Sequence, residues 1–179
     1  MLNAENTLVL IIDIQDKLVA ALNKNIIVQN AVKVASAANL LNIPVLLTEQ
    51  YPKGLGNTVL ELKNVLPENS EIVEKTYFNA LLEDGMLEKI KSYGKKQIVL
   101  FGIETHICVY QTASALVEEG FEVYVIKDAC ASRNKYEFKE GIEAMRSNGV
   151  KISCVEIALF EWLKGAKNPK FKEVQSLIK

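Results

Sequence analysis

Three times along this chain a stretch with helical spacing closes on a glycine, and an apolar run follows almost at once. The stretch 81–93 stops at Gly94 ahead of a run at 98–101. The stretch 107–119 stops at Gly120 ahead of 121–126, and 136–147 stops at Asn148-Gly149 ahead of 150–152. Glycine takes the left-handed conformation that ends a helix and that side-chain-bearing residues resist. A chain punctuated this way alternates helix and strand, and strands joined through helices lie parallel in one sheet. The N-terminal half continues the pattern. Leu8-Val9-Leu10-Ile11-Ile12 is an unbroken apolar run, the mark of a parallel strand covered on both faces. Apolar residues at Ile27, Ala31, Val34, Ala35, Ala38 and Leu41 follow helical spacing up to Asn42-Ile43-Pro44, where proline forbids continuation. Further strands are expected at 45–47 and 72–73. The last stretch, 155–179, reads as one or two helices interrupted at Asn168-Pro169. The expected fold is α/β: a three-layer α/β/α sandwich with a doubly wound, mostly parallel six-stranded sheet. Without a repeat, low-complexity tract or linker, residues 1–179 form one domain.

Charge narrows the function classes. With 21 Lys+Arg against 22 Asp+Glu, the chain lacks the basic footprint that binds nucleic acid by displacing counterions. No run approaches the roughly 20 apolar residues that span a bilayer. The opening Met1-Leu2-Asn3-Ala4-Glu5-Asn6 lacks the basic start of a signal peptide. Cys108, Cys130 and Cys154 are an odd number without a C-x-x-C pair, so a disulfide framework and a zinc cage are both unexpected. Reduced thiols point to the cytoplasm.

Open parallel sheets bind ligands beyond the carboxyl ends of their strands. The first strand ends at Asp13, the third at Lys75 and the fourth at Gly102. The loop Ile103-Glu104-Thr105-His106 then leads to a helix starting near Cys108. A carboxylate, an ammonium and a thiol on one rim suffice for nucleophilic catalysis by an activated cysteine. A helix N-terminus favours the thiolate, Lys75 would add to that, and Asp13 could accept the thiol proton. Each residue also has a plainer reading: Cys108 as a small packing residue, Asp13 as a helix cap or a structural partner of Lys75. His106, the sole histidine, cannot build a multi-histidine metal site, and the carboxylates near it show no ligand spacing. Tyr51-Pro52-Lys53-Gly54-Leu55-Gly56 is neither a P-loop nor G-x-G-x-x-G, but as a loop after the second strand it could close over a pocket.

Three segments carry a resemblance: 8–15 (LVLIIDIQ), 74–78 (EKTYF) and 102–113 (GIETHICVYQTA). Together they resemble the signature segments of the isochorismatase-like cysteine hydrolases. The segments 48–56 and 171–179 resemble the subgroup of isochorismatase domain-containing proteins. The resemblance implies an Asp-Lys-Cys triad at Asp13, Lys75 and Cys108, with the cysteine attacking an amide-type carbonyl through a thioester. It also implies a cis peptide at Ile103–Glu104 that aims the Glu104 backbone N–H, beside that of Cys108, at the developing oxyanion. Losing one such donor typically costs about 2.7–4 kcal/mol of transition-state stabilisation.

Departures from the family narrow the substrate. The zinc-binding nicotinamidases carry histidines after the second strand, where this chain has Thr48-Glu49-Gln50-Tyr51. Isochorismatases proper cleave a vinyl ether without a nucleophilic cysteine. The expectation is therefore a hydrolase of C–N bonds in a small molecule, without metal or cofactor, with Gln50, Tyr51, Phe78 and Ile103 as pocket walls by loop position. The rival is a catalytically idle binding protein on the same scaffold. No nucleic-acid or membrane partner is expected, and the family implies a homo-oligomer.

Overall fold

The computed structural model describes residues 1–22 and 25–179. Its six strands are β1 (Thr7–Ile12), β2 (Val45–Gln50), β3 (Glu71–Lys75), β4 (Gln97–Gly102), β5 (Glu122–Ile126) and β6 (Lys151–Ser153). They form one sheet in the order β3-β2-β1-β4-β5-β6, and every pairing is parallel rather than mostly so. The two central strands, β1 and β4, are buried at every position, as the unbroken apolar runs require. The edge strand β3 carries Glu71 and Glu74 towards solvent, which blunts an otherwise open ladder.

Helices cover both faces. On one face α2 (Asn25–Leu40) packs with α4 (Leu60–Lys63), α8 (Val155–Leu163) and α9 (Phe171–Ser176). On the other, α6 (Tyr110–Glu118) packs with α7 (Lys135–Ser147) and with a 3-10 turn at Ala80–Leu82, which also meets α5 (Met86–Ser92). The layers follow from the topology, since the winding reverses between β1 and β4.

Several boundaries depart from expectation for local reasons. The helix expected over 81–93 is split, because Gly85 takes a φ of 75° and restarts the chain as α5. The stretch 107–119 opens with a π-helical turn, Thr105–Val109, before α6 begins. The C-terminal stretch breaks into α8 and α9 after Lys164, whose φ is 61°, earlier than at Pro169. Three short helices with too little sequence to show a period were not expected: α1 (Asp16–Leu22), α3 (Pro52–Leu55) and α4.

One glycine sets the geometry of the rim. Gly102, at the end of β4, has a φ of 145°, and a β-carbon there would lie 1.9 Å from the Ile12 carbonyl oxygen. The ends of β1 and β4 therefore meet at backbone contact, with the Ile103 N–H donating to Ile12 O at 2.9 Å. Asp13 and the loop before Cys108 leave the sheet from this same point.

Candidate active site

Asp13 is the residue at which β1 leaves the sheet. Its N–H still donates to Thr48 O at 3.2 Å, but its φ is 51°, a left-handed conformation that Asp and Asn tolerate better than most residues. The turn sends the carboxyl group into a pocket without solvent. Oδ2 lies 2.7 Å from the Lys75 ammonium, and both side chains are 0% exposed. Oδ1 accepts the Thr48 hydroxyl at 2.7 Å. Lys75 closes β3 and also donates to Gln50 Oε1 at 2.7 Å and to Tyr77 O at 3.2 Å. Two acceptors thus take hydrogens of the ammonium while Asp13 balances its charge, which is how a buried ion pair is tolerated. The middle strand supplies the connection, for Thr48 and Gln50 are two apart on β2 and share a face.

Cys108 reaches the same spot from β4. After Gly102 the Ile103–Glu104 peptide is cis, the π-helical turn follows, and Cys108 lies within it at 7% exposure. Its thiol is within hydrogen-bonding reach of both Asp13 and Lys75. The structure thus brings together the three residues read as a triad. The surroundings of the sulfur push against the expected thiolate, however. The thiol is pushed up to about 12, first by burial and then by the negative charge of Asp13, which together outweigh the attraction of Lys75. That direction favours the thiol over the thiolate. Cys108 sits in the π turn that runs directly into α6.

Helix α7 braces this turn from behind. A β-carbon at Gly141 would stand 2.8 Å from His106 Cα and 3.0 Å from His106 N, so the glycine lets helix and turn touch. Beside this contact, His106 Nδ1 lies 2.9 Å from Ser132 Oγ, and Arg133 Nε is 2.8 Å from Glu104 Oε1. Glu137 Oε2 lies 3.6 Å from His106 Nε2. Among the described residues, Glu104, His106 and Glu137 are the group able to offer ligand atoms to a metal, all within 4.8 Å of one another. Sequence spacing gives no sign of this group, since Glu137 arrives on a different helix.

The expected pocket walls separate into kinds. Tyr51 and Phe78 are 57% and 54% exposed beside the rim. Gln50 commits its carboxamide oxygen to Lys75 and its nitrogen to Thr76 O at 2.9 Å, so it is part of the ammonium's cradle. Ile103 corrects the expectation: it is wholly buried in the core and reaches no open cleft. Glu49, near the end of β2, accepts the Thr58 N–H at 2.6 Å and lies 3.8 Å from Lys63. Sequence reasoning missed Thr48 and Gln15. The signal for Thr48 was available, a polar residue two before Gln50 in a strand that is otherwise buried.

The family model for the isochorismatase domain matches residues 7–157. Isochorismatase domain-containing protein 2 of Danio rerio is 36% identical over 179 residues, covering 99% of this chain and 89% of that protein. Isochorismatase domain-containing protein 1 of Salmo salar is 37% identical over 147 residues, or 82% of this chain, and the chain spans about half of its length (51%). Among solved structures, the MAR1 ribonuclease from Caenorhabditis elegans superposes with a TM-score of 0.93 at 35% identity, covering 99% of this chain and 91% of that one. The YcaC gene product of Escherichia coli, described as an octameric hydrolase of unknown specificity, gives 0.92 at 25% identity over 99% and 88%. Among the described residues, no helix is long and apolar enough to cross a membrane.

Proposed function

Starting from the premise that this chain belongs to the isochorismatase family, we propose that it is a metal-independent cysteine hydrolase cleaving the C–N bond of a small amide or carbamoyl compound. The observation carrying the reading is the closed Asp13–Lys75 pair with the Cys108 thiol against it. A purely structural ion pair has no need of a thiol at that spot.

The chemistry follows from a resting thiol. Sγ attacks the substrate carbonyl carbon as its proton passes to the Asp13 carboxylate. Lys75 keeps Asp13 in place and offsets negative charge gathering at sulfur. The backbone N–H groups of Glu104 and Cys108 receive the oxyanion. Collapse breaks the C–N bond, and the amine leaves with the proton from Asp13. Water then attacks the thioester, giving its proton to Asp13, and the acid departs as sulfur is reprotonated.

Support for metal independence is positional: residues 48–56 hold no histidine, Glu49 is tied to Thr58, and Gln50 is tied to Lys75. The presence of Cys108 speaks against vinyl-ether cleavage. The ribonuclease name of one structural relative raises RNA as a substrate. The balance of 21 basic against 22 acidic side chains favours a small molecule instead. The octameric relative supports a homo-oligomer, and three free cysteines support a cytoplasmic setting. The test is hydrolysis of a panel of small amides and carbamoyl compounds with EDTA present. The wild type should turn over at least one, and Cys108→Ala should lose that turnover with its melting temperature unchanged. Turnover surviving Cys108→Ala would refute the reading.

A further inference from the structure

The pairing of β1 with β2 ends at Ile12 and Thr48, because Asp13 turns away to deliver its carboxyl group. Strand β2 nevertheless continues to Gln50, paired on its far side with Lys75 of β3. On the β1 side the Gln50 backbone has lost the strand that would have met it. A side chain takes that place. Gln15, fully buried, accepts the Gln50 N–H on Oε1 at 2.7 Å and returns Nε2 to Gln50 O at 3.1 Å. The same nitrogen donates to Gly56 O at 2.6 Å. The carboxamide thus behaves as an extra peptide group in the ladder, with both of its N–H groups and its oxygen engaged.

We infer that Gln15 is a positioning residue for the Lys75 ammonium, acting through Gln50 as a side-chain replacement for the strand that Asp13 abandons. Lys75 is held by Asp13 as its charge partner and by Gln50 as a hydrogen-bond acceptor. Gln15 is joined to the first by the chain itself, its own N–H donating to Asp13 O at 2.9 Å, and to the second by two hydrogen bonds. It is therefore the link that keeps the carboxylate arm and the Gln50 arm at a fixed separation around the cation. Only a carboxamide serves: a carboxylate at this position would face the Gln50 and Gly56 carbonyl oxygens with no hydrogen to give, and a hydrocarbon would leave three buried polar groups unmatched. The inference rests on the proposed role of Lys75 beside Cys108, but it can be read without turnover.

The experiment is iodoacetamide alkylation of Cys108 in the full chain, followed by mass spectrometry from pH 7 to 9. Lys75 draws the Cys108 thiol towards ionisation, so loosening Lys75 lowers the thiolate fraction. Gln15→Met, close in size but without hydrogen bonding, is expected to alkylate about tenfold more slowly at every pH, equivalent to a one-unit rise in the thiol pKa. Gln15→Asn keeps the amide on a shorter arm and should fall between. It carries the same test if Gln15→Met does not fold. Val34→Ala, in the core of α2, controls for general destabilisation and should leave the alkylation rate unaltered. A wild-type rate in the Gln15 variants, with lowered melting temperatures, would assign Gln15 to stability alone. Turnover that survives Cys108→Ala would defeat the hydrolase reading and leave the alkylation result standing.

Discussion

Replacing Lys75 by Met is the perturbation for which the structure supplies the fullest reckoning. The ammonium is 0% exposed and sits 2.7 Å from a carboxylate that is equally inaccessible, so its loss strands a charge where water cannot reach. Breaking a buried pair from one side costs about 3–5 kcal/mol, most of it the penalty on the partner left behind. For a chain of this size that corresponds to a fall in melting temperature of roughly 6–20 °C, at about 2–4 °C per kcal/mol. The loss should be largely a property of the abandoned carboxylate. Adding Asp13→Asn removes that charge, and Asn also tolerates the left-handed backbone of this position. The double variant is therefore expected to recover about 2 kcal/mol or more relative to the sum of the single losses. Urea melts of the wild type, both single variants and the double complete the cycle. Hydrolysis should be lost in all three variants, so stability and turnover come apart in the double. Additive single losses, or a Lys75→Met penalty below about 1 kcal/mol, would show that the pair is not the buried, mutually dependent unit described above.

Other outcomes follow from the same geometry. Because burial and Asp13 hold the Cys108 thiol up at about 12, its alkylation should rise about tenfold per pH unit from 7 to 10 without levelling; a plateau below pH 9 would contradict the resting thiol. The sign for stability runs the same way. A thiol whose folded pKa exceeds its unfolded value of about 8.5 contributes stability that is complete below pH 8 and declines as the pH climbs towards 12, which alkaline urea melts would detect. Gly141→Ala would press a methyl group to 2.8 Å from His106 Cα. A shift of the turn by about 1 Å is expected to cost on the order of a hundredfold in kcat while the protein still folds, and wild-type kcat would place the strain elsewhere. Gly102→Ala, with its β-carbon 1.9 Å from Ile12 O, should yield no folded protein by circular dichroism.

The strands of the sheet, though not their order, were implicit in features that leave marks in the sequence. Continuous apolar runs identified the buried strands β1 and β4, and glycines after helical stretches gave the rhythm of α/β units. Asp13, Lys75 and Cys108 could be placed on one rim because the first two end strands and the third follows the loop after the fourth strand. What escaped notice was set by side chains acting out of register with any period. Gln15 has the look of an ordinary polar residue following a strand, and its work as a stand-in peptide depends on Asp13 having turned away. Glu137 joins Glu104 and His106 only because Gly141 lets α7 come against the π turn. Ile103 was read as a pocket wall from its place in a loop, but close packing of the β1 and β4 ends draws it into the core.

The upward push on the Cys108 thiol also bears on how the site would work. A helix terminus would have produced a standing thiolate, reactive towards any electrophile or oxidant small enough to reach it. Burial beside a carboxylate produces the opposite, a thiol that keeps its proton until something accepts it at the moment of attack. In the proposed mechanism Asp13 is that acceptor, with the Lys75 ammonium 2.7 Å from its Oδ2. Proton transfer and carbon–sulfur bond formation are then coupled, so that reactivity appears only with a carbonyl seated against the Glu104 and Cys108 N–H groups. A nucleophile gated in this way discriminates by geometry rather than by intrinsic reactivity. The clearest signature is a divergence between two probes: slow alkylation by iodoacetamide at neutral pH alongside efficient turnover of the correct small amide. If alkylation and turnover instead rise together across the same pH range with one shared midpoint, the coupling does not exist and a preformed thiolate must be the working nucleophile.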